Sequence, residues 1–156
     1  MIGKPSILFL CRDNSGISLM AEAIAMHLQN RLHKHVRAFS AAVGPTAPVD
    51  AVALECLHEA GLPADGLSSK PIELFALSGA PRVDVVVPLQ ADVHHAVAAM
   101  PWLHVLPMRV RVFEDIARMA DSHERRQAYR RLLPALRKAV LDIMEMEAPG
   151  AARVAA

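Results

Sequence analysis

Short runs of apolar residues alternate along the chain with amphipathic segments. The apolar runs are typical of strands buried on both faces of a sheet, and they predict strands at residues 6–10, 36–41, 83–87 and 104–108. Apolar residues that recur every three or four positions predict helices at residues 17–32, 50–60, 91–99 and 121–146, with helical turns at residues 71–77. Pro134 falls inside the last helix, where it predicts a kink or a division into two helices.

The order of these elements predicts the fold class. Strands that alternate with helices favour an α/β fold in which a four-stranded parallel sheet carries helices on both faces. The pattern runs through residues 1–147 without a linker or an internal repeat, so we expect a single domain there. Residues 148–156 are small and show no packing pattern, and we expect them to form a C-terminal tail.

Charge and composition argue against several classes of function. The 17 Lys and Arg residues and the 16 Asp and Glu residues leave a net charge of +1, which gives no electrostatic reason to bind nucleic acid or an anionic membrane. No apolar run reaches the roughly 18 residues of a membrane span, and residues 1–10 are too short for a signal peptide. Two cysteines, Cys11 and Cys56, make no disulfide framework, so we expect a cytoplasmic protein with free thiols.

The eight histidines raise the question of a metal site. His94 and His95 are adjacent and would diverge by about 100° on a helix, so they cannot easily face one ion. No group of ligating residues has a recognised metal-binding spacing. We therefore predict neither a metal ion nor another cofactor.

Cys11 lies where the first predicted strand passes into a short polar loop at residues 12–16. Ligands of open parallel sheets bind beyond the carboxyl ends of the strands. A short loop before a helix directs several backbone N–H groups toward one point, which makes an anion site and favours a thiolate. We therefore expect a lowered pKa for Cys11. The alternative is that Cys11 is a core residue at a strand end beside an ordinary loop.

Residues 7–22 read ILFLCRDNSGISLMAE, and they resemble the first segment of low-molecular-weight protein tyrosine phosphatases and, more closely, of thioredoxin-coupled arsenate reductases. The shared pattern is Cys, five residues, Arg, then Ser or Thr, followed by Met-Ala-Glu. The resemblance continues in order through residues 39–41, 59–62, 69–70, 113–117 and 124–131, so it covers nearly the whole chain. It implies the family's four-stranded parallel sheet flanked by helices.

The resemblance also implies roles for individual residues. Cys11 would be the nucleophile that attacks phosphorus, Ser18 would hydrogen-bond its thiolate, and Asp115 would protonate the leaving group. The anion-binding loop would consist of Arg12, Asp13, Asn14, Ser15, Gly16 and Ile17. Within that loop, Asn14 and Ser15 would shape the turn.

The chain departs from the family pattern at the loop arginine, whose position is held by Ile17. Isoleucine has no hydrogen-bond donor, whereas the planar fork of arginine binds two phosphate oxygens at once. An arginine of this kind contributes roughly 10³–10⁵ to the rate of phosphoryl transfer, so its loss predicts an impaired phosphatase. Asp13 adds negative charge where an anion would bind. Arg12 either supplies the missing guanidinium or points away and pairs with Asp13.

Two further departures concern the acid and the arsenate reductases. Asp115 precedes Ile116 where the family has proline, and Ala117 offers no ring for stacking, so Asp115 is either the acid or an ordinary loop carboxylate. Arsenate reduction needs two more cysteines, one of them after the third strand. Residues 88–92 contain none, and Cys56 is expected to be inert core.

The sequence thus predicts a phosphatase-like protein that is catalytically impaired. It would bind a phosphate-like anion or a phosphorylated partner as a regulatory module, or sense oxidants through its thiol. The first alternative is an active cysteine-dependent phosphatase in which Arg12 replaces the missing arginine, and arsenate reduction is less favoured. A third hypothesis is a structural dimer module in which Cys11 is incidental, so a homodimer stays open.

Overall fold

The computed structural model describes residues 4–32 and 35–148, so the predicted tail lies outside the described residues except for Ala148. Its three strands are β1 (Ser6–Cys11), β2 (Arg37–Ala42) and β3 (Val85–Pro88). Its helices are α1 (Ile17–Leu32), α2 (Ala51–Glu59), α3 (Ala91–Ala98), α4 (Pro101–His104) and α5 (Ser122–Glu147), with 3-10 turns at Ile72–Ala76 and Ile116–Arg118.

The strands form a parallel sheet in the order β2-β1-β3, so β1 lies in the centre. All six residues of β1 are buried. Alternate residues point to opposite faces of a strand, and Ile7, Phe9 and Cys11 accordingly pack into one core cluster with α1, α2 and α5. Leu8 and Leu10 pack into a second cluster with α3 and α4 on the other face. The predicted α/β fold with helices on both faces is confirmed.

The predicted fourth strand at residues 104–108 is wrong. Pro101 is the first residue of α4, a position that suits proline, and the chain leaves this helical turn only at residue 105. The following segment does run beside β3, since the Val86 N–H donates to the Pro107 carbonyl at 3.1 Å. Pro107 has no N–H with which to extend the ladder, and a single parallel bridge between Val86 and Met108 remains.

The final helix is continuous through Pro134, so of the two predicted alternatives the division into two helices is wrong, while the kink stays a prediction. Proline removes the hydrogen bond that would reach the carbonyl four residues earlier. Leu132 and Leu136 on either side are buried against the core, and this packing holds the helix together. None of the described helices combines the length and the apolar character that crossing a membrane requires.

Candidate functional site

The loop between β1 and α1 reverses direction over the carboxyl end of the central strand. Cys11 is the last residue of β1 and is only 2% exposed, and α1 begins six residues later at Ile17. Asn14 adopts a left-handed backbone conformation with φ of 54°. Asparagine tolerates this conformation better than most residues, which explains its place in the tightest part of the turn.

The carbonyl groups of the loop are held outward by donors from neighbouring segments. Their hydrogen bonds run from Gly44 N to Arg12 O (2.9 Å), Ala47 N to Asp13 O (3.1 Å), Ser69 Oγ to Asn14 O (2.7 Å) and Asp50 N to Ser15 O (2.8 Å). In a trans peptide the N–H points away from the C=O of the same unit. Anchoring each carbonyl outward therefore turns the next N–H toward the interior of the loop.

The sulfur of Cys11 lies at the centre of this arrangement. The backbone N–H groups of Asn14 and Ser18 act on it and lower the pKa of the thiol. Its Sγ is 2.8 Å from Ser18 Oγ, which also accepts a hydrogen bond of 2.7 Å from the side-chain amide of Asn14. Because the amide uses Ser18 Oγ as an acceptor, the hydroxyl proton is available to the sulfur. The structure thus brings Cys11, Asn14 and Ser18 together as the resemblance implied.

Further donors remain in the loop and at the start of α1. Within residues 4–32 and 35–148, the backbone N–H groups of Asp13, Gly16 and Ile17 have no hydrogen-bond acceptor. The N-terminus of a helix also carries a partial positive charge. Together these groups favour an oxyanion at the loop.

A polar cluster that sequence reasoning did not assign to the site braces Asn14. The Asn14 Oδ1 accepts the N–H of Lys70 at 2.9 Å. The Lys70 ammonium lies 3.7 Å from the carboxylate of Glu22, which accepts a hydrogen bond of 2.7 Å from Ser40. Ser40 and Glu22 are buried polar residues on a strand and a helix face that are otherwise apolar, and this contrast was the available signal.

Ile17 is buried at 4% exposure and packs into the same core cluster as Cys11 and Ile116. An aliphatic side chain therefore fills the position at which the family pattern has an arginine. Ile17 therefore offers the loop interior no polar group other than its backbone N–H.

Arg12 is engaged by two carboxylates. Its guanidinium lies 2.6 Å from Asp92 and 3.3 Å from Asp115, and Asp115 is also 3.2 Å from Arg118. Arg12 therefore pairs with Asp92 and Asp115 rather than with Asp13. Asp115 reaches the loop as the resemblance implied, but as the partner of two guanidinium groups. A cavity of about 190 Å³ beside Arg12 and Asp92 does not include Cys11 in its lining.

Asp13 folds back on its own loop. One of its carboxylate oxygens accepts hydrogen bonds from the Ser15 N–H at 3.1 Å and the Ser15 hydroxyl at 2.7 Å. The Ser15 N–H therefore already donates to this carboxylate and is not free to bind an anion. Its negative charge also opposes ionisation of Cys11.

The pKa of Cys11 is raised, so the expectation of a lowered pKa is wrong. Burial of the thiol is the largest cause, because a desolvated thiolate is unfavourable. The hydrogen bonds from Ser18 and Asn14 act in the opposite direction but do not prevail, and Asp13 adds to the rise. Sequence reasoning recognised the donors but had no measure of the burial.

We predict that Cys11 reacts slowly with iodoacetamide at neutral pH, because only the thiolate is nucleophilic. Alkylation of Cys11, followed by peptide mass spectrometry, should become half-maximal above the pH of about 8.5 of a free thiol. Ionisation of Cys11 is less favourable in the folded protein than in the unfolded chain. The stability of the fold is therefore fully present below the thiol pKa of the unfolded chain and decreases as pH rises through the pKa of Cys11 in the folded protein. Half-maximal alkylation below pH 8 would contradict the prediction.

Other candidate groups lie outside this loop. Cys56 is buried in the core as predicted, and both cysteines are free thiols. The rings of His94 and His95 stack with their centroids 5.7 Å apart. No group of three or more His, Cys, Asp and Glu side chains suited to a metal ion occurs among the described residues.

The comparisons with known proteins agree with this geometry. The family model described as low molecular weight phosphotyrosine protein phosphatase matches residues 6–143. No curated protein sequence matches the chain. A low molecular weight protein tyrosine phosphatase from T. tengcongensis has a similar structure, with a TM-score of 0.76, 21% identity and coverage of 92% of this chain and 99% of that one.

Two other solved structures share the fold. YfkJ from Bacillus subtilis has a TM-score of 0.72 at 19% identity, covering 94% of this chain and 98% of that one. An arsenate reductase in the phosphate binding state has a TM-score of 0.67 at 20% identity, covering 92% of this chain and 98% of that one. With the family match spanning residues 6–143, the chain belongs to the low molecular weight phosphotyrosine protein phosphatase family.

Proposed function

We propose that this member of the family binds a phosphate-like anion or a phosphorylated partner without efficient hydrolysis and acts as a regulatory module. The observation that carries the proposal is the burial of Ile17 in the core, at the position of the loop arginine. Loss of a single oxyanion donor typically costs about 2.7–4 kcal/mol of transition-state stabilisation. The loop retains its backbone donors, so ground-state binding is less affected than turnover.

Three other features support impaired turnover. The pKa of Cys11 is raised, so the nucleophilic form is scarce at neutral pH. Asp13 already uses the Ser15 N–H and repels a second anion. Asp115, the candidate acid, is engaged in ion pairs with Arg12 and Arg118, and these contacts restrain the carboxylate that would have to approach a leaving group.

The retained donors support the binding part of the proposal. Among the described residues the N–H groups of Asp13 and Gly16 in the loop and of Ile17 at the N-terminus of α1 have no acceptor, and a phosphoryl group has oxygens that could accept from them. No cofactor is needed for this role. Free thiols at Cys11 and Cys56 support our proposal of a cytoplasmic location.

The second candidate is an active cysteine-dependent phosphatase in which Arg12 takes over from the missing arginine. Its supporting observation is that Arg12 and Asp115 are in contact, so a guanidinium and a candidate acid lie together beside the loop. For Arg12 to bind a phosphoryl group, it would first have to leave Asp92 and Asp115. Each of those contacts is a charge-assisted pair that opposes the movement.

We predict that the wild-type protein and Cys11→Ser hydrolyse p-nitrophenyl phosphate at the same background rate, because the nucleophile lacks its guanidinium partner. Inorganic phosphate at 100 times its Kd should nevertheless stabilise the wild type by about 2.7 kcal/mol in thermal unfolding. Rates are measured by release of p-nitrophenolate, and binding by the rise in Tm with phosphate concentration. Chloride at equal ionic strength is the control for non-specific salt effects.

Each other outcome points to a different function. Fast hydrolysis that is lost in both Cys11→Ser and Arg12→Gln would replace our proposal with the second candidate. If the protein shows neither hydrolysis nor phosphate binding, the hypothesis of a structural dimer module remains, and its direct test is the oligomeric state in solution.

A further inference from the structure

The long C-terminal helix reaches the underside of the loop through Tyr129. This residue is completely buried, and its hydroxyl donates a hydrogen bond of 2.8 Å to Asp50 Oδ2. Asp50 in turn donates its backbone N–H to the Ser15 carbonyl at 2.8 Å. Burial and the neighbouring Asp50 carboxylate raise the pKa of Tyr129, so its hydroxyl stays protonated and keeps donating. Two hydrogen bonds therefore connect α5 with the loop.

Gly16 fits directly against the same hydroxyl. A Cβ built on Gly16 would overlap the hydroxyl oxygen of Tyr129 and lie 3.3 Å from its Cζ. The backbone of Gly16 is not in the left-handed region, unlike that of Gly61. Glycine at this position is thus required by the space that Tyr129 fills and not by backbone conformation.

The Asp50 carboxylate is itself fixed from several directions. Its Oδ1 caps α2 by accepting the Val52 N–H at 3.0 Å, and its Oδ2 accepts Arg125 Nε at 3.1 Å as well as the Tyr129 hydroxyl. Arg125 and Tyr129 both belong to α5. A carboxylate that accepts from three donors has one favoured orientation. The side chain therefore holds Asp50 in place, and the backbone N–H of Asp50 has a fixed position relative to the loop.

We propose that Tyr129 and Asp50 are positioning residues for the loop. Together they fix the peptide between Ser15 and Gly16 so that its carbonyl points to Asp50 and its N–H faces the loop interior. The reactivity of Cys11 and the affinity for an anion then depend on how α5 is seated. The phosphate part of this statement rests on the proposed function, whereas the part about Cys11 does not.

The test is a double-substitution cycle on the full chain: wild type, Tyr129→Phe, Gly16→Ala and both together. The measurement is the rate of Cys11 alkylation by iodoacetamide at pH 9, localised by peptide mass spectrometry. Tyr129→Phe should raise this rate about fivefold, the factor that corresponds to one buried hydrogen bond. Gly16→Ala alone should raise it further, because the new methyl group overlaps the hydroxyl and displaces the loop.

The double variant decides the outcome. Phenylalanine lacks the overlapping oxygen, so the double variant should return to within about twofold of Tyr129→Phe, as expected for residues in contact. Rates that instead multiply, or a Tyr129→Phe variant with the wild-type rate, would overturn the proposal. Arg130→Gln is the matched control, since it removes an exposed pair with Glu59 between α2 and α5 and should leave the rate unchanged.

A parallel titration with inorganic phosphate separates the two proposals. Weaker stabilisation by phosphate in Tyr129→Phe than in the wild type would support both. If phosphate does not bind the wild type at all, the proposed function fails while the alkylation cycle still decides whether Tyr129 positions the loop.

Discussion

Replacing Ile17 by arginine should create aryl phosphatase activity at least about 10³-fold above that of the wild type, the lower end of what a phosphoryl-transfer arginine contributes. Ile17 directly precedes Ser18, whose hydroxyl contacts the sulfur of Cys11. A long side chain at residue 17 would therefore begin close to the sulfur. A guanidinium there would bind two oxygens of the substrate and would also lower the pKa of Cys11. It would therefore oppose the effects of burial and of Asp13 at the same time.

The measurement is kcat/KM for p-nitrophenyl phosphate with Ile17→Arg, Ile17→Lys and Ile17→Met. Lysine brings a charge without the planar fork and should gain less, while methionine keeps the apolar volume and should gain nothing. Adding Cys11→Ser to Ile17→Arg should abolish the activity, which shows that the thiol carries the reaction.

Stability gives a readout that does not depend on turnover. An arginine in a position that is now core leaves a charge without a partner, so Ile17→Arg should be less stable than the wild type and should gain more from phosphate. If phosphate restores its Tm and no hydrolysis appears, then the missing guanidinium is not what limits this loop, and our explanation of the impairment is wrong.

Replacing Asn14 by alanine should lower the free energy of unfolding by about 2–4 kcal/mol. Alanine loses the tolerance of asparagine for the left-handed conformation, at about 1 kcal/mol. It also removes the acceptor of the Lys70 N–H, and a buried group left unsatisfied costs about 1–3 kcal/mol, whereas the Ser18 hydroxyl loses the amide but keeps its contact with the Cys11 sulfur.

Asn14→Gly separates these two causes, because glycine adopts the left-handed conformation freely but has no amide. It should be about 1 kcal/mol more stable than Asn14→Ala and still clearly less stable than the wild type, as measured by urea unfolding. A glycine variant as stable as the wild type would mean that the amide of Asn14 contributes nothing to the loop. Both variants should also expose Cys11 to alkylation.

The pattern of apolar residues was sufficient to predict most of the elements, because each had a clear periodicity or a clear boundary. Asp50 before α2 and Asp121 before α5 cap their helices as their side chains suggest. The prediction of a strand at residues 104–108 was wrong because a short apolar run fits a strand and a buried helical turn equally well. Two nearby prolines favour the helical turn.

The candidate site was predictable only in part. The position of Cys11 at the end of the first strand and the short loop that follows it could be predicted from the sequence, since local residues determine both. The raised pKa of Cys11 did not, because it depends on how many atoms of the packed core exclude water from the sulfur. Ser40, Asp50 and Tyr129 were missed for a related reason: they are far from the loop in sequence, and only the folded arrangement brings them to it.

The segment from Val43 to Asp50 has neither helix nor strand and is partly exposed, and a stretch of this kind usually tolerates insertions and deletions. Here its amides are matched one by one to the carbonyls of residues 11, 12, 13 and 15. Lengthening it by one residue would move every later donor out of register with its acceptor. Natural variation in length should therefore be rarer in this connection than in the other turns of the molecule, although nothing in its composition marks it as essential.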